Sequence, residues 1–170
     1  MNKWRVLLLG CVVIPFYSTA LLSNSNADEG AVNAVMDGLH ESASQADLSA
    51  YLGAFTENGV FMGTDDWERW SRPTTLDEYV AERFKSGTGW TYTPEVRHIS
   101  FSDSGDTAWF DEIIVSSKWG RFRGTGVLTK VQDEWKIAHY SMTVLVANEA
   151  FFDVADINKE AFAERNAKVK

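Results

Sequence analysis

Three residues able to move protons lie in the second half of this 170-residue chain, at positions that hairpin pairing brings into one row. Antiparallel partners keep a constant sum of residue numbers, so each short turn fixes a register. The turn Asp103 to Asp106 sets Ser102 opposite Thr107 and therefore His98 opposite Asp111. Pairing Ser117 with Gly120 sets Asp111 opposite Gly126, and pairing Val131 with Glu134 sets Gly126 opposite His139. Neighbouring strands stand about 4.8 Å apart, so Asp111 and His139 are expected to reach toward each other over the space a glycine leaves. In that row Asp111 would orient His98 or His139 as a general acid or base acting on a small organic substrate.

The flanking rows frame this trio with Trp109, Leu128 and Ile137 on one side and Ile113, Gly124 and Ser141 on the other. Trp109, Ile113 and Ser141 are thus candidate ligand contacts, joined by Tyr51 from a helix and Trp70 from a loop. Two other readings of the trio stay open. Polar side chains beneath helices can simply satisfy one another, and two histidines with one aspartate are also the ligand set of non-haem iron enzymes. No HxH or HExxH pair accompanies the trio, and neither a metal nor a cofactor is expected. Phosphate loops, dinucleotide fingerprints, nucleophile elbows and zinc motifs are all missing from the sequence.

The elements that must position these residues are read from periodicity. Val32, Val35, Met36, Leu39 and Ala43 predict one amphipathic helix, and Leu48, Tyr51, Leu52 and Phe55 a second, capped by Asp47. Glu57-Asn58-Gly59 leads into a short strand, Val60 to Met62, and a loop to Pro73 carrying Trp67 and Trp70. Thr75 to Glu78 is a capping box opening a third helix that Gly87 closes. The period then changes to two, over Thr91 to Ser102, Thr107 to Ser117, Arg121 to Val131 and Trp135 to Val146, which predicts an antiparallel meander. Helices first and a long sheet afterwards predict an α+β domain over residues 28–150, followed by a weakly helical extension, 151–170. On the sheet face away from the trio fall Phe110, Ile114, Val127, Tyr140 and Met142, with Glu112 and Arg123 as a nearly diagonal ion pair. A face so apolar predicts a homodimer, or a C-terminal segment folded back over it through Phe151, Phe152 and Ile157.

Composition bounds the partners. A net charge of −8 argues against nucleic acid and anionic membrane surfaces. Met1 to Arg5 is basic, Val6 to Leu22 almost wholly apolar, and Ser25-Asn26-Ala27 ends in small residues, which reads as a signal peptide over residues 1–27 and export to the periplasm or medium. Leu8-Leu9-Gly10-Cys11 looks like a lipoprotein box, but the apolar run before Cys11 is very short. Cys11 is the lone cysteine, so cleavage leaves no disulfide and no thiol chemistry.

Five segments carry a resemblance to a known family: FMGTDDWERW (Phe61 to Trp70), RFKSGTGWTYTPEVRHISFS (Arg83 to Ser102), DTAWFDE (Asp106 to Glu112), RGTGVL (Arg123 to Leu128) and EWKIAHY (Glu134 to Tyr140). Together they resemble the exported bacterial branch of the SnoaL-like family, within the nuclear transport factor 2 superfamily. The resemblance implies an NTF2-like cone, with three N-terminal helices packed on a curved antiparallel sheet, and back-to-back dimers. It also implies a range of functions, from isomerases, cyclases and dehydratases to purely binding or assembly modules. The isomerase arrangement of a tyrosine and a neutral carboxylic acid facing a carboxylate base has no residue-by-residue match. The expectation is an exported domain that binds a small, partly apolar molecule in a conical pocket with acid/base catalysis, the alternative being a non-catalytic assembly or partner-binding module.

Overall fold

The computed structural model describes residues 18–168. Helix α1 (Ser18–Gln45) buries Val32, Met36, Leu39 and Ala43 along one stripe, as the three-four spacing requires. Most of the leader read from residues 1–27 lies outside the described residues, and its last part forms the start of α1. Asp28 ties α1 to the sheet, accepting a hydrogen bond from Trp135 Nε1 at 3.0 Å and pairing with Lys130 Nζ at 2.8 Å. Ala46 leaves the helix at φ +54°, and Asp47 caps α2 (Leu48–Gly53) by accepting from Ala50 N at 3.0 Å.

Strand β1 (Phe55–Met62) is longer than the predicted one, and β2 (Arg69–Ser71) turns back on it. Helix α3 (Thr75–Phe84) has Thr74 at its cap with no side-chain bond. The expected capping box is therefore not formed, because the Thr75 hydroxyl turns back to accept from Ser71 N at 2.9 Å. Arg72 fastens α3 to the layer below, reaching Asp77 at 3.1 Å and the Leu52 carbonyl at 2.6 Å. Gly87, at φ +73°, closes the turn after α3 as expected.

The meander follows as β3 (Thr93–Phe101), β4 (Thr107–Ser116), β5 (Gly120–Val131) and β6 (Glu134–Val144). All six strands form one sheet in the order β2-β1-β6-β5-β4-β3. The sheet is mixed rather than antiparallel throughout, since β1 runs parallel to β6. Two helices precede β1 and the third follows β2, so strand structure separates the second helix from the third, as the sequence predicts. Register shifts at Glu95 in β3 and Ala138 in β6 interrupt the ladder and sharpen the local twist that curves the sheet.

The helices cover the face carrying Ala108, Phe110, Ile114, Phe122, Leu128, Ile137, Tyr140 and Met142, all buried. This reverses the sequence reading of the two faces: Phe110, Ile114, Tyr140 and Met142 make the core rather than an exposed patch. Val127 does lie on the outer face, half-buried. Glu112 is buried on the inner face while Arg123, one strand over, points outward, so these two form no pair. The C-terminal segment is a regular helix, α4 (Phe151–Lys168). It does not fold back over the sheet, for Phe151, Phe152 and Ile157 are exposed, Phe152 by 77%.

Candidate functional site

The buried stripe of α1 contains one titratable member. His40 follows Leu39 and lies one helical turn from Met36, so it is carried into the core with them and is only 8% exposed. It meets Glu112, the inward residue of β4 between Phe110 and Ile114, which is fully buried. Oε1 of Glu112 accepts from His40 Nε2 at 2.9 Å and from the Tyr140 hydroxyl at 3.0 Å. Oε2 accepts from Arg97 Nε at 2.9 Å, with Arg97 standing opposite Glu112 on β3. Arg97 Nη2 lies 2.8 Å from the same oxygen but out of line for a hydrogen bond, so that contact is Coulombic. Nη1 of Arg97 ties the cluster to α1 through Asn33 Oδ1 at 2.8 Å and Asp37 Oδ1 at 3.0 Å.

Burial alone would push the Glu112 carboxyl up, but the hydrogen bond from His40 and the charges of His40 and Arg97 outweigh it and hold the group below its ordinary value. Glu112 is therefore an acceptor-only carboxylate, and His40 must donate Nε2–H to it. Burial, reinforced by the Glu112 charge, drives the Tyr140 phenol well above its ordinary value. Tyr140 thus holds Glu112 rather than giving up a proton.

Over this cluster opens a cavity of about 450 Å³, within the range typical of small-molecule sites. His40 and Tyr140 sit in its lining with Leu39, Met142 and Val144, and nine of its lining residues are aromatic. Trp70 and Tyr79 stack at 3.9 Å between centroids with 11° between planes, and Tyr79 and Trp90 continue the row at 5.8 Å. Phe61 bridges that row to the floor, 6.0 Å from Trp70 and 5.4 Å from Tyr140. At the mouth stands the loop between β1 and β2, whose Gly63, Thr64 and Glu68 join the lining. Glu68 Oε2 accepts from the backbone of Thr64 at 2.7 Å and of Asp65 at 3.0 Å, and Arg165 of α4 grips Asp65 at 2.7 Å and Asp66 at 2.8 Å.

Of the residues singled out in the sequence, Tyr51 and Trp70 line this cavity. Asp111, His98 and His139 do not. They lie on the outer face with Trp109, Ile113 and Ser141; Asp111 and His98 are exposed, and Trp109 is 49% exposed. The pairing of His98 with Asp111 is as expected, but Ser116 rather than Ser117 pairs with Gly120, which moves Asp111 opposite Thr125. The irregularity at Ala138 then sets Thr125 opposite Ser141, and His139 opposite Val127, where its Nε2 lies 3.3 Å from the Met62 sulfur. Nor is the trio a metal site, since among the described residues no three His, Cys, Asp or Glu side chains are grouped to hold an ion. The space at Gly126 is taken from the inner side, where an added β-carbon would come within 2.7 Å of the Phe110 ring.

His40, Glu112, Arg97 and Tyr140 were missed as a group. Two signals for them are present: a histidine on an otherwise apolar helical stripe, and glycines at 124 and 126 that mark one face of β5 as a trough for large neighbours.

Comparison with known proteins follows the same architecture. A family model described as a SnoaL-like domain matches residues 32–147. A domain of unknown function with a cystatin-like fold from Nostoc punctiforme superposes with a TM-score of 0.65 at 18% identity, over 84% of this chain and 94% of its own. A candidate aromatic ring hydroxylase from Novosphingobium aromaticivorans gives 0.61 at 19% identity over 72% and 92% of the two chains. A candidate dehydratase of the NTF2-like family from Streptomyces avermitilis gives 0.60 at 16% over 72% and 99%. At such identities the likeness is one of fold. No curated protein matches in sequence.

Proposed function

Because the chain belongs to the SnoaL-like domain family, a fold that does not by itself choose a reaction, we propose that it binds a small, planar, largely apolar molecule in the aromatic cavity and that His40, held by Glu112, moves a proton on it. The observation that carries this reading is the juxtaposition of an open cavity of about 450 Å³ with a buried carboxylate–imidazole pair in its floor. A purely assembling module would have its cone filled with side chains. The reaction class follows from the parts available: one imidazole able to take and return a proton suits isomerisation, cyclisation or dehydration. The fold is shared with a candidate aromatic ring hydroxylase and a candidate dehydratase.

The reading retains a leader over residues 1–27 with export, and a homodimer. The dimer contact belongs on the outer face around Trp109, Ile113 and Val127, because of the residues first expected to form it only Val127 lies outside the core. Replacing Trp109 by Glu should then shift the sedimentation mass from two subunits to one.

Native mass spectrometry of the mature protein purified from its own host tests the ligand. A bound small molecule is expected, and its turnover should fall about 100-fold in His40→Gln while binding persists. Binding with unchanged turnover in that variant would remove His40 from the chemistry. Failure of any small molecule to bind would return the protein to the assembly class.

A further inference from the structure

The charges around the cavity are unevenly placed. Among the described residues Glu68 is the lone Asp, Glu, Lys or Arg in the lining, and its half-buried carboxylate stands at the mouth beside the Trp70, Tyr79 and Trp90 row. Its field reaches the wall, for after burial its charge raises the Tyr79 phenol, and it does so by more than the opposing charge of Arg83 lowers it. Glu112 lies deeper, but its charge is already met by Arg97 and by two hydrogen bonds. Two cations lie near the aromatic wall: Arg83 is 5.8 Å from the Trp90 ring and Lys118 4.8 Å from the Trp119 ring. Both belong to exposed residues outside the lining, where water screens them more strongly than it screens Glu68.

Resting on the reading of this cavity as a ligand site, we infer that it selects planar molecules bearing a positive charge, such as an aromatic or conjugated amine or quaternary ammonium, and excludes their carboxylates. Ring faces attract cations through their quadrupole, and Glu68 supplies a fixed counter-charge where the cationic end would lie. An anionic ligand finds no lysine or arginine among the described residues of the lining. It would instead have to leave water facing Glu68. The apolar body would lie along Trp70, Tyr79 and Trp90, with the charged end toward the mouth.

Three naphthalenes of matched shape test this by titration of the tryptophan fluorescence: (2-naphthylmethyl)trimethylammonium, 2-naphthylmethanol and 2-naphthoate. The ammonium should bind about tenfold tighter than the alcohol, and the carboxylate weakest of the three. Glu68→Gln, which keeps an oxygen to accept from Thr64 and Asp65, should bring the ammonium to the affinity of the alcohol and leave the alcohol unchanged. An ammonium no tighter than the alcohol, or a carboxylate at the top of the order, overturns charge selection while leaving the cavity a ligand site. No binding by any of the three counts against the ligand site itself. If Glu68→Gln does not fold, the rank order in the unaltered protein decides alone.

Discussion

The Tyr140 hydroxyl lies directly over Gly124, 2.5 Å from where a β-carbon on that residue would stand. Strand β5 thus leaves a gap on its inner face, and the tyrosine crosses it to reach Glu112. Tyr140 cannot swing aside, being packed between Phe61 at 5.4 Å and Phe110 at 5.9 Å. Gly124→Ala should therefore force the hydroxyl off Glu112 and cost about 1–3 kcal/mol through overpacking. Urea unfolding measures it, and a loss under 0.5 kcal/mol, about the scatter of surface substitutions, would mean that the floor is more pliable than its packing implies.

Glu112 answers to three partners, so its removal should be felt more than theirs. Glu112→Gln leaves the buried Arg97 guanidinium with only the exposed Asp37 as counter-charge, a situation that approaches the cost of about 3–5 kcal/mol for an unpaired buried charge. Tyr140→Phe should cost less, about 1.5–3 kcal/mol for a hydrogen bond to a charged group. Acid does the same work as the first substitution. Since Glu112 titrates lower in the folded chain than in the unfolded one, its contribution is fully present above the unfolded value and is lost as pH falls through the folded one. Stability measured from pH 6 downward should drop more in the unaltered protein than in Glu112→Gln.

Alkali acts through the phenols. Burial raises Tyr51 and Tyr140 above their ordinary value, the latter with help from Glu112. Groups raised on folding stabilise below the unfolded value, about 10 for tyrosine, and that contribution is lost as pH climbs toward the folded one. Absorbance at 295 nm should show these two phenols ionising only together with the loss of near-ultraviolet circular dichroism. Ionisation of both phenols while the fold persists would contradict their burial.

Asp111→Asn provides the contrast. Asp111 is exposed on the outer face, so the change should shift stability by less than about 0.5 kcal/mol and leave ligand affinity in the cavity as it was. An affinity change comparable to that of Glu68→Gln would bring the outer face back into consideration as the site.

The sequence carried the elements well and the faces poorly, and the reasons are local. Turn chemistry at Asp103 to Asp106 and Gln132-Asp133 placed the β3–β4 and β5–β6 hairpin ends, so His98 does face Asp111 and Val131 does face Glu134. A strand has period two, however, and a one-residue error reassigns every partner beyond it. One such error arose at Ser116 and another at Ala138, where the chain has no glycine or proline to announce an irregularity. The choice of face failed for a different reason. Glu112 interrupts the apolar series Ala108, Phe110 and Ile114, and a charge in mid-strand reads as a solvent position until its partners are known. Those partners lie 15, 28 and 72 residues away, at Arg97, Tyr140 and His40. Tyr51 and Trp70 were legible because a large aromatic on an amphipathic element lies at the edge of a core whichever way the sheet is turned.

The grip of Arg165 on Asp65 and Asp66 bears on how the protein can be handled. Helix α4 joins the domain through Ala150 at one end and through this ion pair near the other, with mostly exposed side chains between. Lys168 stands one helical turn beyond Arg165. The last described turn of α4 is thereby held near the loop that borders the cavity. A fluorophore attached at Lys168 would report occupancy of the site.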